Sequence, residues 1–166
     1  MAYLFVDPMI GAQPIAETSA TQRHPLGTIV KAKDPTYGEG EFIYLLGVLN
    51  TVVGLAVTYG PSTYQTTIMP NTANLGESVA WAMSANVGSQ YGWYQIGGVA
   101  VAKKTNVSWE ANKAVYISGT AGRVMDTVAS GKQILNARSA NTATVTTTTS
   151  TVLLHINRPH LQGQAI

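Results

Sequence analysis

Hydrophobic and polar residues alternate in short runs along most of the chain. From residue 26 onward, stretches of β-branched and aromatic residues are separated by clusters of Gly, Pro, Asn and Ser. Runs of this length between turn residues are typical of strands, and no segment repeats its apolar residues at the 3.6-residue period of a helix. The pattern predicts an all-β fold, a single β-sandwich or barrel, with strands at residues 27–33, 41–48, 52–59, 64–69, 78–84, 92–102, 114–118, 132–139 and 143–156.

The first 25 residues differ from the rest of the chain. Three prolines and a polar stretch at residues 16–24 disfavour regular structure, so an extended N-terminal arm is predicted. The tip of the arm carries the apolar residues Tyr3, Leu4 and Phe5. Two interpretations are open: the tip folds back on the core of its own chain, or it docks on a neighbouring subunit, with these three residues as its anchors.

The sequence suggests three parts of unequal size. We expect an arm at residues 1–25, one β domain at residues 26–159 and a C-terminal tail at residues 160–166. Arg158-Pro159 is expected to end the last strand, because proline cannot donate to a strand ladder.

A threonine-rich segment precedes the last apolar run. Seven of the ten residues at 142–151 are threonine, which favours a strand that has little hydrophobic register of its own. It is either a long exposed hairpin or an edge strand at residues 144–149 that pairs with a partner. In the second case Thr144, Thr147 and Thr149 are candidate partner-binding residues.

Few residues carry charge. Charged residues make up 11% of the 166-residue chain, against roughly 25% in ordinary soluble domains, while the hydrophobic fraction is 45%. A neutral surface loses less hydration free energy when it is covered, and the centres of protein–protein interfaces are depleted in Lys, Glu and Asp. The composition therefore favours a subunit of an assembly.

Charge and cysteine content argue against several classes of protein. The basic residues are scattered, with Lys103-Lys104 as the one adjacent pair, so no nucleic-acid partner is expected. The chain has no cysteine, which is compatible with folding in a reducing cytoplasm. It shows no signal-peptide pattern and no apolar stretch of membrane-spanning length, so we expect a soluble chain that is not exported and has no membrane partner.

The chain offers little material for a catalytic or metal site. Glu39 and Glu41 share a strand face across one glycine, but a solvated turn is the favoured interpretation. His155 and His160 would need a third ligand from elsewhere to hold a metal. There is no phosphate-binding loop and no nucleophile elbow. We therefore expect no enzymatic activity, no metal and no cofactor.

Aromatic residues suggest a different kind of site. Trp81, Trp93 and Trp109, with Tyr91 and Tyr94, could form a surface on which sugars stack. Trp81 alternates with small and apolar neighbours, however, and is expected in the core. Burial in the core or at a subunit interface is favoured over sugar binding.

Four segments of the chain resemble known sequences: LGTIVKAKDPTYGEGEFIYLLGV (26–48), AMSANVGSQYGWYQIGG (82–98), KAVYISGTAGRVMD (113–126) and LLHINRP (153–159). They are similar to a family of small virion proteins that tailed bacteriophages encode near their capsid genes, the capsid decoration (cement) proteins. The resemblance covers most of residues 26–159.

The resemblance implies a structural role and no catalytic motif. Members of such families are β-rich and clamp capsomers at three-fold or quasi-three-fold positions, commonly as trimers. It implies the major capsid protein and sister subunits as partners, and a place on the phage head surface after synthesis in the bacterial cytoplasm. The alternatives are a tail or fibre component and a carbohydrate-binding β-sandwich.

Overall fold

The computed structural model of the protein describes residues 4–5, 11–85 and 88–164. Within these residues there is no helix, and hence none that could cross a membrane. The strands are β1 (Leu4–Phe5), β2 (Thr18–Ser19), β3 (Ile29–Asp34), β4 (Gly38–Leu46), β5 (Ala56–Tyr59), β6 (Thr66–Ile68), β7 (Ser78–Ala82), β8 (Tyr91–Lys103), β9 (Ala114–Ile117), β10 (Val124–Met125), β11 (Gln133–Ser139) and β12 (Thr151–Leu161).

The long strand β8 organises the fold. Its first half pairs with β4, whereas residues 97–103 pair with β12. Strand β7 pairs with β5, β8 and β12 and so links the two halves. The ladders between strands are antiparallel, and the sheet is not closed into a barrel. The predicted all-β fold is confirmed, and the open sheet is consistent with a β-sandwich.

Strands β4 and β8 are apolar on both faces because both faces are covered. On one face, Phe42 and Trp93 belong to a buried cluster beneath the N-terminal residues. On the other face, Ile43 and Tyr94 belong to a second cluster with β5 and β7. A third and larger cluster surrounds Trp81 and joins β7 and β8 to β9, β11 and β12. Burial of apolar surface in these clusters is the main stabilising term of the fold.

The N-terminal segment at residues 11–25, here called the strap, lies across β4 and β8. Ile15 is buried in the cluster that contains Phe42 and Trp93, and Gln13 is also buried. Strand β2 of the strap pairs with the start of β8. Residues 11–25 were expected to belong to an extended arm, but they form a layer of the β domain. A single buried isoleucine in a polar stretch gives no periodic pattern, and so this layer was not predicted.

The last strand runs through the proline that was expected to end it. Arg158 has φ 46°, and β11 shifts its register opposite this point, so a bulge accommodates Pro159. Beyond the bulge His160 pairs with Ser78, and Leu161 is buried in the largest cluster. The prediction that the strand stops at Arg158-Pro159 and that a tail begins at residue 160 is wrong.

Every predicted strand overlaps an observed one, but two are displaced. The run predicted at 52–59 becomes a strand only from Ala56, and the run predicted at 143–156 only from Thr151. Strands β1, β2 and β10 have two residues each. Two residues are too few to produce a recognisable alternation, and their pairing depends on distant parts of the chain.

Candidate functional site

The predicted anchors of the arm are Tyr3, Leu4 and Phe5. Tyr3 lies outside the described residues. Leu4 and Phe5 form β1, whose register partners in β3 are Lys33 and Ala32, and the Leu4 side chain is 72% exposed. This pairing corresponds to the interpretation in which the tip folds back on its own domain.

The three threonines proposed to bind a partner, Thr144, Thr147 and Thr149, are exposed on a loop. The chain forms turns and irregular structure between β11 and β12, so the predicted edge strand at residues 144–149 is wrong. No buried face holds these side chains, and a strand without a buried face has no fixed register. The threonines are accessible, but they present no ladder edge to a partner.

This threonine loop (residues 142–150) is braced by the segment that follows β8. Val145 and Trp109 exchange two backbone hydrogen bonds of 2.9 and 2.8 Å. At the end of the loop, the Lys104 backbone N–H donates to the Ser150 carbonyl at 3.0 Å. These hydrogen bonds hold the middle and the last residue of the loop.

The side chain of Lys104 holds the bracing segment in place. It is fully buried, and its ammonium group donates to the carbonyls of Val107 at 2.7 Å and Thr105 at 3.2 Å. Burial lowers the pKa of Lys104, and the charge of Asp126 acts in the opposite direction. The four methylene groups of the stem are buried together with the charge.

We expect Lys104→Ala to lower the free energy of unfolding by about 3 kcal/mol, because it removes the buried stem and leaves two carbonyls unpaired. Lys104→Met keeps most of the stem and should cost only about 1 kcal/mol. Urea unfolding of the two variants measures the difference. Equal losses would show that the ammonium–carbonyl hydrogen bonds dominate, contrary to this prediction.

The aromatic residues do not form a surface for sugars. Trp81, Trp93 and Trp109 are each at most 1% exposed, and Tyr94 is fully buried. Tyr91 is partly buried and stacks on Tyr44 with a centroid distance of 6.3 Å. The prediction that Trp81 lies in the core is confirmed. The carbohydrate-binding alternative therefore lacks the aromatic platform on which it depended.

Glu39 and Glu41, the candidate carboxylate pair, form ion pairs at the surface. Glu39 lies 3.5 Å from the Lys31 ammonium, and Glu41 lies 3.3 Å from Nε of Arg158. Both carboxylates border an open depression of about 270 Å³, floored by glycines, that also contacts His155. Among the described residues, no three His, Asp or Glu side chains are grouped so that they could hold a metal ion. The two carboxylates form ion pairs at the surface, Glu39 with the neighbouring strand β3 and Glu41 with β12.

A different surface was not predicted from the sequence. The loop between β4 and β5 displays three aliphatic side chains to solvent: Leu49 is 54% exposed, Val52 42% and Val53 45%. We call residues 47–54 the apolar loop. Scattered exposed aliphatic residues are ordinary, but three within five positions of one loop form a patch of the kind that marks an interaction site.

The apolar loop is attached to the sheet at both ends. Gly47 donates its N–H to the Gln90 carbonyl at 2.7 Å. Gly54 donates to the Ala82 carbonyl at 2.9 Å and accepts from the Lys103 N–H at 2.8 Å. A loop fixed in this way loses little conformational entropy when a partner covers it, so its exposed side chains are preorganised for binding.

Local sequence explains why the chain makes a loop here instead of extending β5. Asn50 and Gly54 have φ of 65° and 83°, which lie outside the extended conformation of a regular strand. A Cβ atom at Gly54 would lie 3.0 Å from the Val101 carbonyl oxygen, so glycine is needed where the loop crosses β8. Thr51 is buried and caps the Val48 carbonyl. Turn residues flanked by Leu and Val are the sequence feature from which the apolar loop could have been predicted.

Comparison of the chain with protein-family models, with curated proteins and with solved structures gave no match.

Proposed function

We propose that this chain is a structural protein of a tailed-bacteriophage virion, bound to the outer surface of the head as a decoration protein. In this proposal its partner is the major capsid protein, and it stabilises the expanded shell by bridging capsomers, as a homotrimer. It is made in the host cytoplasm, it catalyses no reaction and it needs no cofactor. The support comes from sequence resemblance, composition and surface geometry together.

The surface of the domain suits assembly better than catalysis. The titratable groups of Glu39 and Glu41 are engaged in exposed ion pairs, and charged residues make up 11% of the chain. A surface with few charges is covered by a partner at low desolvation cost. The four segments that resemble decoration proteins contain β3, β4, β9 and β10 and parts of β8 and β12, so the resemblance involves the centre of the fold.

The observation that carries the proposal is the apolar loop. Leu49, Val52 and Val53 are exposed, although the buried clusters of the domain are complete without them. Placing aliphatic side chains in water on a loop that is held at both ends is unfavourable unless a partner covers them. A patch of this size contributes the apolar centre of an interface of about 800 Å² per partner.

A single copy need not bind tightly to stabilise a shell. If a trimer engages two or more capsomers, the second contact forms at high effective concentration, so weak individual contacts add up to strong attachment. Internal pressure must then break these additional contacts before capsomers separate. Mechanical reinforcement of this kind requires no chemistry from the chain.

The test is co-sedimentation of the purified protein with expanded phage heads that lack it, with unexpanded proheads as the control. Saturable binding to expanded heads alone is expected. Absence of binding to either particle, with assembly of the protein into rings, tubes or elongated trimers, would instead favour a tail or fibre component.

Substitutions in the apolar loop should weaken head binding. We expect Leu49→Ser and Val53→Ser each to raise the dissociation constant from expanded heads at least about tenfold, since each removes more than about 1.4 kcal/mol of apolar burial. Val128→Ser is the matched control, because Val128 is 77% exposed on the loop between β10 and β11. Equal weakening by all three variants, or by none, would exclude the apolar loop as the contact.

A further inference from the structure

The strap is a thin layer whose attachment depends on few groups. Its only strand, β2, has two residues, and Ile15 is its one buried apolar side chain in the cluster beneath it. The other two buried clusters of the domain contain no strap residue. Detachment of the strap would therefore remove one layer and leave most of the apolar core intact.

Gln13 joins the strap to the sheet through several hydrogen bonds, in addition to the pairing of β2 with β8. Its side-chain NH₂ donates to the Glu17 carbonyl within the strap at 2.7 Å and to the Tyr91 carbonyl of β8 at 3.1 Å, and its side-chain oxygen accepts from the Tyr44 hydroxyl at 2.8 Å. Its backbone carbonyl accepts from the Trp93 indole N–H at 2.8 Å. Since Gln13 is buried, loss of this network would leave several polar groups without partners.

His24 closes this network at the other end of the strap. Its Nε2 atom accepts a hydrogen bond of 3.1 Å from the backbone N–H of Gln13, so this nitrogen carries no proton. The imidazole also lies against the rings of Tyr44 and Trp93, with centroid distances of 5.1 and 5.4 Å. His24 therefore connects residue 13 of the strap directly to the two aromatic residues of the sheet.

Protonation of His24 would disrupt this arrangement. A proton on Nε2 turns the acceptor into a donor that faces the N–H of Gln13, so the hydrogen bond is lost. The new positive charge would also lie next to Arg23. The titratable ring packed against His24 is Tyr44, and burial raises the pKa of its hydroxyl, so it supplies no negative charge near neutral pH.

Two effects of the surroundings on His24 oppose each other. The faces of Tyr44 and Trp93 attract a cation and favour the imidazolium. Burial and, to a smaller extent, the charge of Arg23 favour the neutral ring, and these effects lower the pKa of His24 below its ordinary value. The attached strap therefore favours the neutral form of His24 over the protonated form.

We infer that the strap is a pH-sensitive latch: protonation of His24 weakens its attachment, so that the strap detaches more often and uncovers the aromatic face formed by Phe42, Tyr44 and Trp93, while the rest of the domain stays folded. The detached strap exposes His24 to water, where it takes up a proton near its ordinary pKa of about 6.5. Above that pH both states are neutral and attachment is strongest. As the pH falls through about 6.5, the detached state is favoured, and the effect levels off below the pKa of the attached state.

The three indole N–H groups of the protein allow a direct test by NMR hydrogen exchange on the full chain between about pH 8 and pH 5. The Trp93 indole N–H reports on the strap, because it donates to Gln13, whereas Trp81 and Trp109 lie in the largest cluster and report on the rest of the domain. After correction for intrinsic exchange, we expect the protection of Trp93 to fall up to about tenfold per pH unit below about pH 6.5. The protection of Trp81 and Trp109 should remain unchanged.

His24→Gln supplies the matched control, since the glutamine side-chain oxygen can accept from Gln13 but does not titrate in this range. Its Trp93 protection should not depend on pH. Parallel loss of protection at all three indoles, or the same pH dependence in wild type and His24→Gln, would overturn the proposal. If His24→Gln does not fold, the pKa of His24 measured in the wild-type protein provides the second test. A value at or above about 6.5 would overturn the proposal, because the attached strap would then not favour the neutral ring.

Discussion

A chain that carries Gly98→Ala is expected to lose at least about 3 kcal/mol of unfolding free energy, equivalent to a fall of roughly 6–12 °C in Tm for a domain of this size. Gly98 has φ 89° and lies where β8 passes from pairing with β4 to pairing with β12. A Cβ atom there would lie 2.4 Å from the Glu39 carbonyl oxygen and 3.0 Å from Cα of Gly40. Both neighbours are backbone atoms, so the strands themselves would have to separate.

Substitutions of two other glycines separate the steric effect of the added Cβ atom from the effect of a positive φ. Gly38 has φ 76°, but a Cβ atom there would meet no other atom within 4 Å, so Gly38→Ala should cost only the backbone term of about 1 kcal/mol. Gly119 has open space around it and no positive φ, and Gly119→Ala should change stability by less than about 0.5 kcal/mol. Thermal and urea unfolding of the three variants provide the comparison. If Gly98→Ala and Gly38→Ala lose the same free energy, the close approach of β4 and β8 does not matter for stability.

Removal of residues 1–15 is expected to lower the unfolding free energy by about 3 kcal/mol while the chain keeps a cooperative transition, whereas removal of residues 1–10 is expected to preserve most of the stability. The longer deletion takes away Gln13 and Ile15, both of which are buried. It would expose Trp93 to water and leave the hydroxyl of Tyr44 without its acceptor. The two buried clusters that contain no strap residue still hold the rest of the domain together.

Far-UV circular dichroism and thermal unfolding of the two truncated chains test this expectation. The shorter deletion also separates folding from partner binding, since it removes the tip with Leu4 and Phe5 but keeps the strap. Its binding to expanded heads reports on the tip as an anchor without loss of the fold. An unchanged Tm in the chain that begins at residue 16 would contradict the structural role assigned to Gln13 and Ile15. Loss of any cooperative transition would contradict the inference that the rest of the domain stays folded when the strap is detached.

The threonine loop should be more tolerant of change than its β-prone composition suggests. Thr147 is exposed at a turn and lies outside every strand ladder, so a proline there has no ladder hydrogen bond to break. Partner binding by this segment through strand addition is therefore no longer expected.

The all-β class, the positions of most strands and the burial of Trp81 could be predicted from the residue pattern. These features depend on near neighbours, because alternation of side chains along a strand and the turn preferences of Gly, Pro and Asn are local properties. The shortage of titratable groups is also visible in the sequence, and the absence of enzymatic activity stays a prediction.

Contacts between distant parts of the chain decide which irregular segments belong to the core and which face solvent. Gln13 meets Trp93 across 80 positions of the chain, and no local pattern distinguishes that glutamine from others in a polar stretch. Pro159 remains within β12 because a bulge at Arg158 meets a register shift in β11. Val52 and Val53 look like strand residues, yet they face solvent because Gly54 must cross β8 at close range. In each case the deciding interaction joins residues that are distant in sequence, and hydrophobic periodicity carries no information about such pairs.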